Sequence, residues 1–282
     1  MGGERSVVLG LVQMSMTEDP AQNLSKAVQM IEEASGKGAG VVCLPELFAS
    51  RYFPQEMKAK VKAEPIPGPI TRRLSSVAKK NDVAIVGGSI SEKAGGRLYN
   101  TSVVLGPDGK LLGKYRKVHI PQDESFYEQS YFSSGADYRA FQIPRAKVGV
   151  LICFDQWYPE AAREERLLGA EILFYPTAIG TVEGIEQTEG DWKTAWETVQ
   201  RGHAISNSLV VAVANRVGRE GKMSFWGGSF VCDQFGTVLA RAGSKEEQVL
   251  VVSCDLGLGR DVEEGWGFLR NRKPRTYKRL AS

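Results

Sequence analysis

Short apolar segments alternate with longer segments of helical periodicity along almost the whole chain. The apolar segments, which predict strands, are 7–12, 41–44, 83–86, 148–152, 172–175, 209–213 and 249–253. The segments with an apolar face at helical spacing are 23–34, 70–80, 159–168 and 192–205. Strands that alternate with helices of about ten residues or more form βαβ units, so the sequence predicts an α/β fold.

The chain repeats this pattern in two halves. Gly38 precedes an apolar segment that ends at Pro45, and Gly169 precedes one that ends at Pro176, with the same spacing of seven residues. Each half then continues into a hairpin; the four hairpin strands are 102–105, 110–115, 230–232 and 237–240. We therefore expect an internally duplicated fold whose halves meet near residue 145, within one domain over residues 1–282.

The rarest reactive residues exclude several classes of protein. The chain has four cysteines and two histidines, with no CxxC pair and no closely spaced Cys and His ligands. A disulfide scaffold and a zinc cluster are therefore excluded. No P-loop, GxSxG turn or GxGxxG motif follows a strand, and no apolar run reaches the roughly 18 residues of a membrane span. The sequence predicts an intracellular, cytoplasmic protein that binds no membrane.

The C-terminal segment 270–282 is basic, whereas the rest of the chain is slightly acidic. It contains six basic and no acidic residues, while the whole chain has a net charge of +3. Such a tail could bind nucleic acid, dock on an acidic neighbouring subunit or remain solvated. Basic residues do not alternate with aromatic ones through the rest of the chain, so nucleic acid is not the expected partner.

Two reactive side chains follow predicted strands. Glu46 comes after segment 41–44, and Cys153 comes after segment 148–152 and before the helix that Pro159 opens. In α/β sheets, ligands bind beyond the carboxyl ends of the strands, and a helix N-terminus favours a thiolate. Taken singly, however, Cys153 is equally consistent with a small buried apolar residue, and Glu46 with a helix cap or an ion-pair partner.

Two further charged residues gain meaning only in combination. Lys117 follows the first hairpin, and Glu128 lies beside the aromatic residues Phe126 and Tyr127, which could partly desolvate it. Each alone would be interpreted as a solvated surface residue.

Three sequence blocks together resemble a known family. The blocks are LPELF at 44–48, RKVHIP at 116–121 and ICFDQWYPEAAR at 152–163. They resemble the signature blocks of the nitrilase, or carbon–nitrogen hydrolase, superfamily in order and spacing, and segments 175–180 and 226–236 extend the match over nearly the whole chain. The resemblance implies a four-layer αββα sandwich with two pseudo-symmetric halves and a homo-oligomer in which the C-terminus reaches a partner.

The same resemblance implies a role for each of the four residues. Cys153 would be the nucleophile, Glu46 the general base, Lys117 the cation beside the developing oxyanion, and Glu128 a second carboxylate near the substrate. This set is chemically coherent, because burial raises the pKa of a carboxylate towards neutral pH, where it can accept the thiol proton. The backbone N–H of Phe154 would assist Lys117, and the reaction needs no metal and no organic cofactor.

Within the superfamily, three segments resemble the N-carbamoylputrescine amidohydrolases most. They are 155–157, 178–180 and 191–192. We expect a narrow pocket for a slim aliphatic chain, although its candidate wall residues could instead be core; these are Tyr52, Phe53, Trp157 and Ala178.

An acidic loop could attract the free amine of such a substrate, or could simply be solvated. Its acidic residues are Glu183, Glu186, Glu189 and Asp191. One departure from the family pattern is Val182, which stands where a glutamate is usual, so that Glu183 comes one residue late. The alternatives are another amidase of the superfamily (a β-ureidopropionase or an ω-amidase), a nitrilase, or a non-catalytic binding protein.

Overall fold

The computed structural model describes residues 5–185 and 187–281, so Glu186 of the acidic loop lies outside the described residues. The helices are α1 Pro20–Gly36, α2 Pro69–Asn81, α3 Pro159–Leu167, α4 Trp192–Asn207 and α5 Gly257–Trp266. The strands are β1 Ser6–Gln13, β2 Val41–Cys43, β3 Ala84–Val86, β4 Ile90–Ala94, β5 Arg97–Leu105, β6 Leu111–Arg116, β7 Ala140–Ile143, β8 Ala146–Val150, β9 Ile172–Pro176, β10 Gly180–Val182, β11 Val210–Ala214, β12 Val217–Glu220, β13 Met223–Trp226, β14 Phe230–Cys232, β15 Val238–Arg241 and β16 Gln248–Asp255. These helices and strands correspond to the α/β alternation predicted above.

The strands form two large sheets and one small one. The first large sheet has the order β16-β1-β2-β3-β5-β4, with β6 also paired to β5. The second has the order β15-β14-β11-β9-β8-β7, and the small sheet has the order β10-β13-β12. Within the first sheet β1, β2 and β3 run parallel, and within the second sheet β8, β9 and β11 run parallel.

The internal duplication is confirmed by this topology. The series β1-α1-β2-α2-β3 matches β8-α3-β9-α4-β11, and each series continues into an antiparallel hairpin, β5-β6 or β14-β15. The expected boundary near residue 145 needs correction at two places. Strand β7 lies before that point but belongs to the second sheet, and β16 returns from the second half to pair with β1.

Alternate residues of the first sheet face different layers. In β2, Val41 and Cys43 belong to the apolar core that also contains the second sheet, whereas Val42 belongs to the core that contains α1 and α2. Period-two alternation places these side chains on opposite faces of the sheet. Helices α3 and α4 contribute Ala161 and Trp196 to the core of the second sheet. The layers are therefore helices, sheet, sheet, helices, as in an αββα sandwich.

Helix starts follow from local chemistry. Asp19 accepts a hydrogen bond from Ala21 N at 2.9 Å before α1, and Asp191 accepts one from Thr194 N at 3.0 Å before α4. Pro159 is the first residue of α3, where its missing N–H costs nothing. These three helices therefore begin at residues that the local sequence defines.

Two further predictions from the sequence concern membrane-spanning helices and the basic C-terminal segment. Among the described residues, no helix combines the length and apolar character needed to cross a membrane. The basic segment forms two short 3-10 turns, Pro274–Thr276 and Lys278–Ala281, and its described basic side chains are exposed or half-buried.

Candidate active site

Strand ends from both large sheets bring four candidate residues together. Glu46 follows β2, Lys117 directly follows β6, and Cys153 follows β8. Glu128 lies in the loop between β6 and β7. The side chains of Glu46 and Lys117 are completely buried, that of Glu128 is almost completely buried, and Cys153 is 8% exposed.

Lys117 connects the two carboxylates. Its Nζ atom lies 2.8 Å from Glu46 Oε1 and 2.9 and 2.8 Å from the two carboxylate oxygens of Glu128. A buried ammonium is tolerated only with such partners, because removing a charge from water is costly. Burial alone would lower the pKa of Lys117, but the charges of Glu128 and Glu46 outweigh it and raise the pKa. The lysine is therefore a fixed cation at any working pH.

Two neutral side chains extend this network. Asn100 Nδ2 donates to Glu46 Oε1 at 2.8 Å and to Glu128 Oε2 at 3.3 Å. The Tyr52 hydroxyl donates to Glu128 Oε1 at 2.8 Å. Glu128 thus receives hydrogen bonds on both of its oxygens from Lys117, with one more from each of these neighbours. Its position is fixed from three directions.

Glu46 has one oxygen available for chemistry. Its Oε2 atom is buried and has no hydrogen-bond partner among the described residues. Burial raises the pKa of Glu46, while the charge of Lys117 opposes the shift and the charge of Glu128 adds to it. A carboxylate with a raised pKa and an unsatisfied oxygen is suited to accept a proton.

Cys153 occupies a strained position at the start of a 3-10 turn, Cys153–Trp157. Its φ angle is +43°, a backbone conformation that non-glycine residues adopt rarely and that concentrates at functional sites. Its Sγ atom lies 3.9 Å from the carbonyl oxygen of Ala178. Burial raises the pKa of the thiol, the charge of Glu46 adds to the shift, and the charge of Lys117 opposes it. The resting thiol therefore needs a base to ionise it.

Asp155 connects the turn of Cys153 to the loop of Lys117. Its carboxylate accepts hydrogen bonds from His119 N at 2.9 Å, Ile152 N at 2.9 Å and the Tyr115 hydroxyl at 2.8 Å. The Nδ1 atom of His119 lies 2.7 Å from Asp155 Oδ1. The sequence placed Asp155 in a motif without a role; the structure shows that it is fully buried and joins the loop of Lys117 to the turn of Cys153.

The predicted pocket walls do not all meet at one place. Tyr52 and Ala178 lie in an apolar cluster next to the four candidate residues, together with Phe225. Phe53 packs at the edge of this cluster, with its ring centroid 5.1 Å from that of Tyr131. Trp157 instead packs against the core between the sheets.

Phe154 and Glu183 lie in more open surroundings than expected of a deep pocket. Phe154 is half-buried and packs edge-on against Tyr158, with 5.7 Å between ring centroids. Glu183 is 65% exposed and forms an ion pair with Arg219 on β12. Its charge is therefore already compensated by a neighbour within the chain.

A groove of about 780 Å³ adjoins the wall formed by Tyr52. Its lining includes Leu47, Tyr52 and Phe53, the N-terminal turn of α1, and most residues of segment 59–64. Within residues 5–185 and 187–281 no group of three His, Cys, Asp or Glu side chains is arranged to bind a metal ion.

Comparisons with known proteins agree with this arrangement. The carbon–nitrogen hydrolase family model matches residues 8–264. The chain is 39% identical to an N-carbamoylputrescine amidase of Solanum lycopersicum, over 98% of this chain and 95% of the relative. It is 35% identical to a citrullinase of Francisella tularensis (98% of both chains) and 38% identical to the omega-amidase NIT2 of Xenopus tropicalis (95% and 96%).

A solved structure supports the fold over the same length. The chain superimposes on a carbon–nitrogen hydrolase of Helicobacter pylori G27 with a TM-score of 0.91 at 35% identity, covering 98% of this chain and 99% of that one. The chain belongs to the carbon–nitrogen hydrolase family. It is an enzyme of this family, related over nearly its full length to proteins named N-carbamoylputrescine amidase and omega-amidase.

Proposed function

We propose that the chain hydrolyses the C–N bond of a ureido compound or amide through a covalent intermediate on Cys153. The observation that carries this proposal is the buried cluster of Lys117, Glu46 and Glu128 beside a strained thiol. Glu46 Oε2 takes the thiol proton, because the pKa of Glu46 is raised and no other described residue donates a hydrogen bond to this oxygen. The thiolate then attacks the carbonyl carbon and forms a tetrahedral adduct.

Fixed hydrogen-bond donors would stabilise the negative charge of the tetrahedral adduct. The oxygen of the adduct becomes negative, and the Lys117 ammonium with the backbone N–H of Phe154 would stabilise it, at about 3–4 kcal/mol for one such donor. Glu46 returns its proton to the leaving nitrogen, and the carbon–nitrogen bond breaks as the thioester forms. Glu46 next accepts a proton from water, and the hydroxide attacks the thioester carbon. The carbon–sulfur bond then breaks, the acid is released, and Glu46 returns its proton to the departing thiolate.

N-carbamoylputrescine is the substrate that we propose. The relatives of that name at 37–39% identity support it. Ammonia would leave in the first step, and hydrolysis of the thioester would give a carbamate that decomposes to putrescine and CO₂. The acidic loop lends this choice less support than its composition suggests. Glu183 pairs with Arg219, and Asp191 caps α4.

An ω-amide or citrulline is the second candidate class. The citrullinase and the omega-amidase share 35–38% identity with the chain over at least 95% of its length. Both substrates carry a carboxylate, which the Arg219 guanidinium could approach if Glu183 were displaced. Ammonia release should therefore be measured with N-carbamoylputrescine, N-carbamoyl-β-alanine, citrulline, ω-amides and a nitrile. N-carbamoylputrescine should give the highest kcat/KM, and a higher value for a carboxylate substrate would contradict the substrate proposal alone.

The covalent step is tested by two matched cysteine variants. Cys153→Ala should lower kcat by about 10⁴-fold, the scale seen when a nucleophile is removed. Cys254→Ala, at a buried cysteine on β16, should keep kcat within a few-fold. Intact mass spectrometry of the enzyme quenched during turnover should show an acyl adduct on wild type and none on Cys153→Ala. Full activity of folded Cys153→Ala would refute the mechanism.

A further inference from the structure

A completely buried arginine binds the backbone of the segment that carries Glu46. Arg216 follows β11, on the opposite half of the molecule. Its guanidinium donates to the carbonyl oxygen of Glu46 from Nε at 3.2 Å and from Nη2 at 2.9 Å. The same Nη2 lies 2.7 Å from Leu47 O and 3.0 Å from Ser50 O. One side chain thus serves three carbonyl groups within five residues.

This segment needs donors because it has left the sheet. Leu47 has a φ angle of +47°, and its N–H donates to the Ser89 hydroxyl at 2.9 Å instead of to a neighbouring strand. A buried carbonyl without a partner costs about 1–3 kcal/mol. The five N–H groups of a guanidinium can satisfy several carbonyls at once in a fixed plane. Arg216 therefore selects one conformation of a segment that is otherwise irregular.

The partner of Arg216 holds the other end of the same segment. Glu220 Oε1 lies 2.8 Å from Arg216 Nη1, and Glu220 Oε2 accepts a hydrogen bond from Tyr52 N at 2.5 Å. The Tyr52 hydroxyl in turn donates to Glu128 at 2.8 Å. Through two residues of the β11–β12 region, the backbone is fixed at Glu46 and at Tyr52, and both side chains then enter the Lys117 network.

Stability alone is a weak reason for such a pair. Buried ion pairs often contribute nothing beyond what an apolar pair of similar volume would provide. What an apolar pair could not provide is hydrogen bonds to the carbonyls of Glu46, Leu47 and Ser50. The neighbour Asn215 does the same for the matching loop after β9, where its side chain bonds both Ile179 N and Ile179 O at 3.0 Å.

We propose that Arg216 and Glu220 are positioning residues for catalysis, which hold Glu46 at the thiol and Tyr52 at Glu128. The proposal rests on the proposed function in one respect, since it takes Glu46 as the base for Cys153. Neither residue reacts with the substrate. Their effect should therefore appear in kcat, with a smaller effect on KM.

Two conservative variants test the pair. Arg216→Lys keeps the charge but cannot reach three carbonyls, and we expect kcat to fall by about 10²-fold, as a displacement near 1 Å does. Glu220→Gln keeps an acceptor for Tyr52 N and should lower kcat by about tenfold. KM should change less than about threefold in both. Either substitution would also admit water to Glu46 and thereby lower the pKa of Glu46. The acid limb of the kcat/KM profile should then shift to lower pH.

A destabilised control separates positioning from a general loss of stability. Val28→Ala leaves a cavity between α1 and the first sheet, and among the described residues no hydrogen-bond partner of Arg216 or Glu220 lies on α1. Assayed well below its melting temperature, it should retain wild-type kcat and pH profile. If Arg216→Lys does not fold, Glu220→Gln carries the test with the same readouts.

The outcomes distinguish the two proposals. Glu46→Gln is measured in parallel as the test of the base itself. If Glu46→Gln is inactive while folded Arg216→Lys and Glu220→Gln match wild type in kcat and pH profile, the positioning proposal is wrong and the proposed function stands. If Glu46→Gln retains full activity, the proposed function fails. A kcat loss without a shift in the pH profile, equal to that of Val28→Ala, would also overturn the positioning role.

Discussion

The two halves of the molecule share a framework and differ in the loops that leave it. Parallel strands β1, β2 and β3 correspond to β8, β9 and β11, and each set continues into an antiparallel hairpin. After β2 the chain reads Pro45-Glu46, and β9 ends at Pro176, followed by Thr177. The two loops even touch, since Glu46 N donates to Thr177 O at 3.4 Å. Matching backbone positions thus carry a carboxylate in one half and a hydroxyl in the other.

The two halves contribute different groups to the candidate site. The first half provides the buried charges of Glu46, Lys117 and Glu128, and the second provides the Cys153 thiol. The second half also holds the loops of the first, through Asp155 at His119 N and Arg216 at Glu46 O. Both halves therefore contribute the same kind of framework to the sandwich core. The cluster of Glu46, Lys117, Glu128 and Cys153, in contrast, forms only when the two halves are held in one fixed orientation.

The largest expected effect contrasts the two matching loop positions. Glu46→Gln keeps the shape and the contact with Lys117 but removes the base, so kcat should fall by at least about 10³-fold. Thr177→Val removes only the hydrogen bond from the hydroxyl to Tyr175 O, 3.0 Å long, and should cost about 1 kcal/mol of stability. Steady-state kinetics and urea denaturation of both variants measure these effects. Equal kcat losses in the two variants would show that loop geometry, not the carboxylate, matters.

The next effect concerns the connection between the thiol turn and the lysine loop. Asp155→Asn replaces one acceptor oxygen by an NH₂ donor. This donor would face the N–H and O–H groups that donate to the carboxylate in the wild type. We expect a loss of about 2–4 kcal/mol in the free energy of unfolding and of about 10²-fold in kcat. Urea denaturation and kinetics are the measurements.

The control is an aspartate in the hairpin of the second half. Asp233 Oδ1 accepts hydrogen bonds from Phe235 N and Thr237 N, both at 2.9 Å. Asp233→Asn keeps that oxygen, so its stability should stay within about 0.5 kcal/mol of wild type. A loss at Asp233 as large as that at Asp155 would argue against a special connection.

Much of the framework could be predicted from sequence because its central elements are buried on both faces or carry one apolar face. The α/β alternation and the duplication are confirmed, and helix α2 begins and ends within one residue of the prediction. Strands β4 and β7 were missed because they are short strands at sheet edges; β4 has only two apolar residues, and β7 has four residues in all. Helix α5 was missed because it contains three glycines, which weaken any helical pattern.

The site was predictable to the extent that single residues follow strands. Glu46 and Cys153 could be singled out in this way, whereas Lys117 and Glu128 needed the family resemblance. Their partners lie too far away along the chain for a local pattern to reveal the contact. Arg216 could have been found by the same rule as Glu46, since this charged residue follows the wholly apolar strand β11 almost directly.

A smaller expected effect is the pH dependence of stability, to which Glu92 contributes in the first half. Glu92, on β4 of the first sheet, is buried, which alone would raise its pKa. Hydrogen bonds from Arg116, Lys114 and Thr101 outweigh burial and lower the pKa from 4.5 to about 2. Its folded pKa is depressed, so its stabilisation is present above pH 4.5 and disappears as the pH falls towards 2. Glu92→Gln should therefore lose about 2 kcal/mol at pH 7, measured by urea denaturation, and approach wild type at the acid end. A difference that is independent of pH would contradict the charge explanation.

The smallest expected effect is a gain in stability on substitution, where Glu92→Gln gives a loss, and it concerns Glu165 in the second half. Glu165 on α3 is buried, accepts a hydrogen bond from Arg139 N at 3.1 Å, and leaves Oε2 without a partner among the described residues. Burial raises its pKa from 4.5 to about 8. A folded pKa above the unfolded one means that this carboxyl loses stability as the pH rises from 4.5 to 8. Glu165→Gln removes that loss, so its melting temperature should equal that of wild type near pH 4.5 and exceed it at pH 8. We expect a gain of more than about 1 kcal/mol there, because one pKa unit corresponds to about 1.4 kcal/mol. A stability difference that shrinks towards alkaline pH would mean that Glu165 is ionised in the folded protein and that the halves do not differ in this respect.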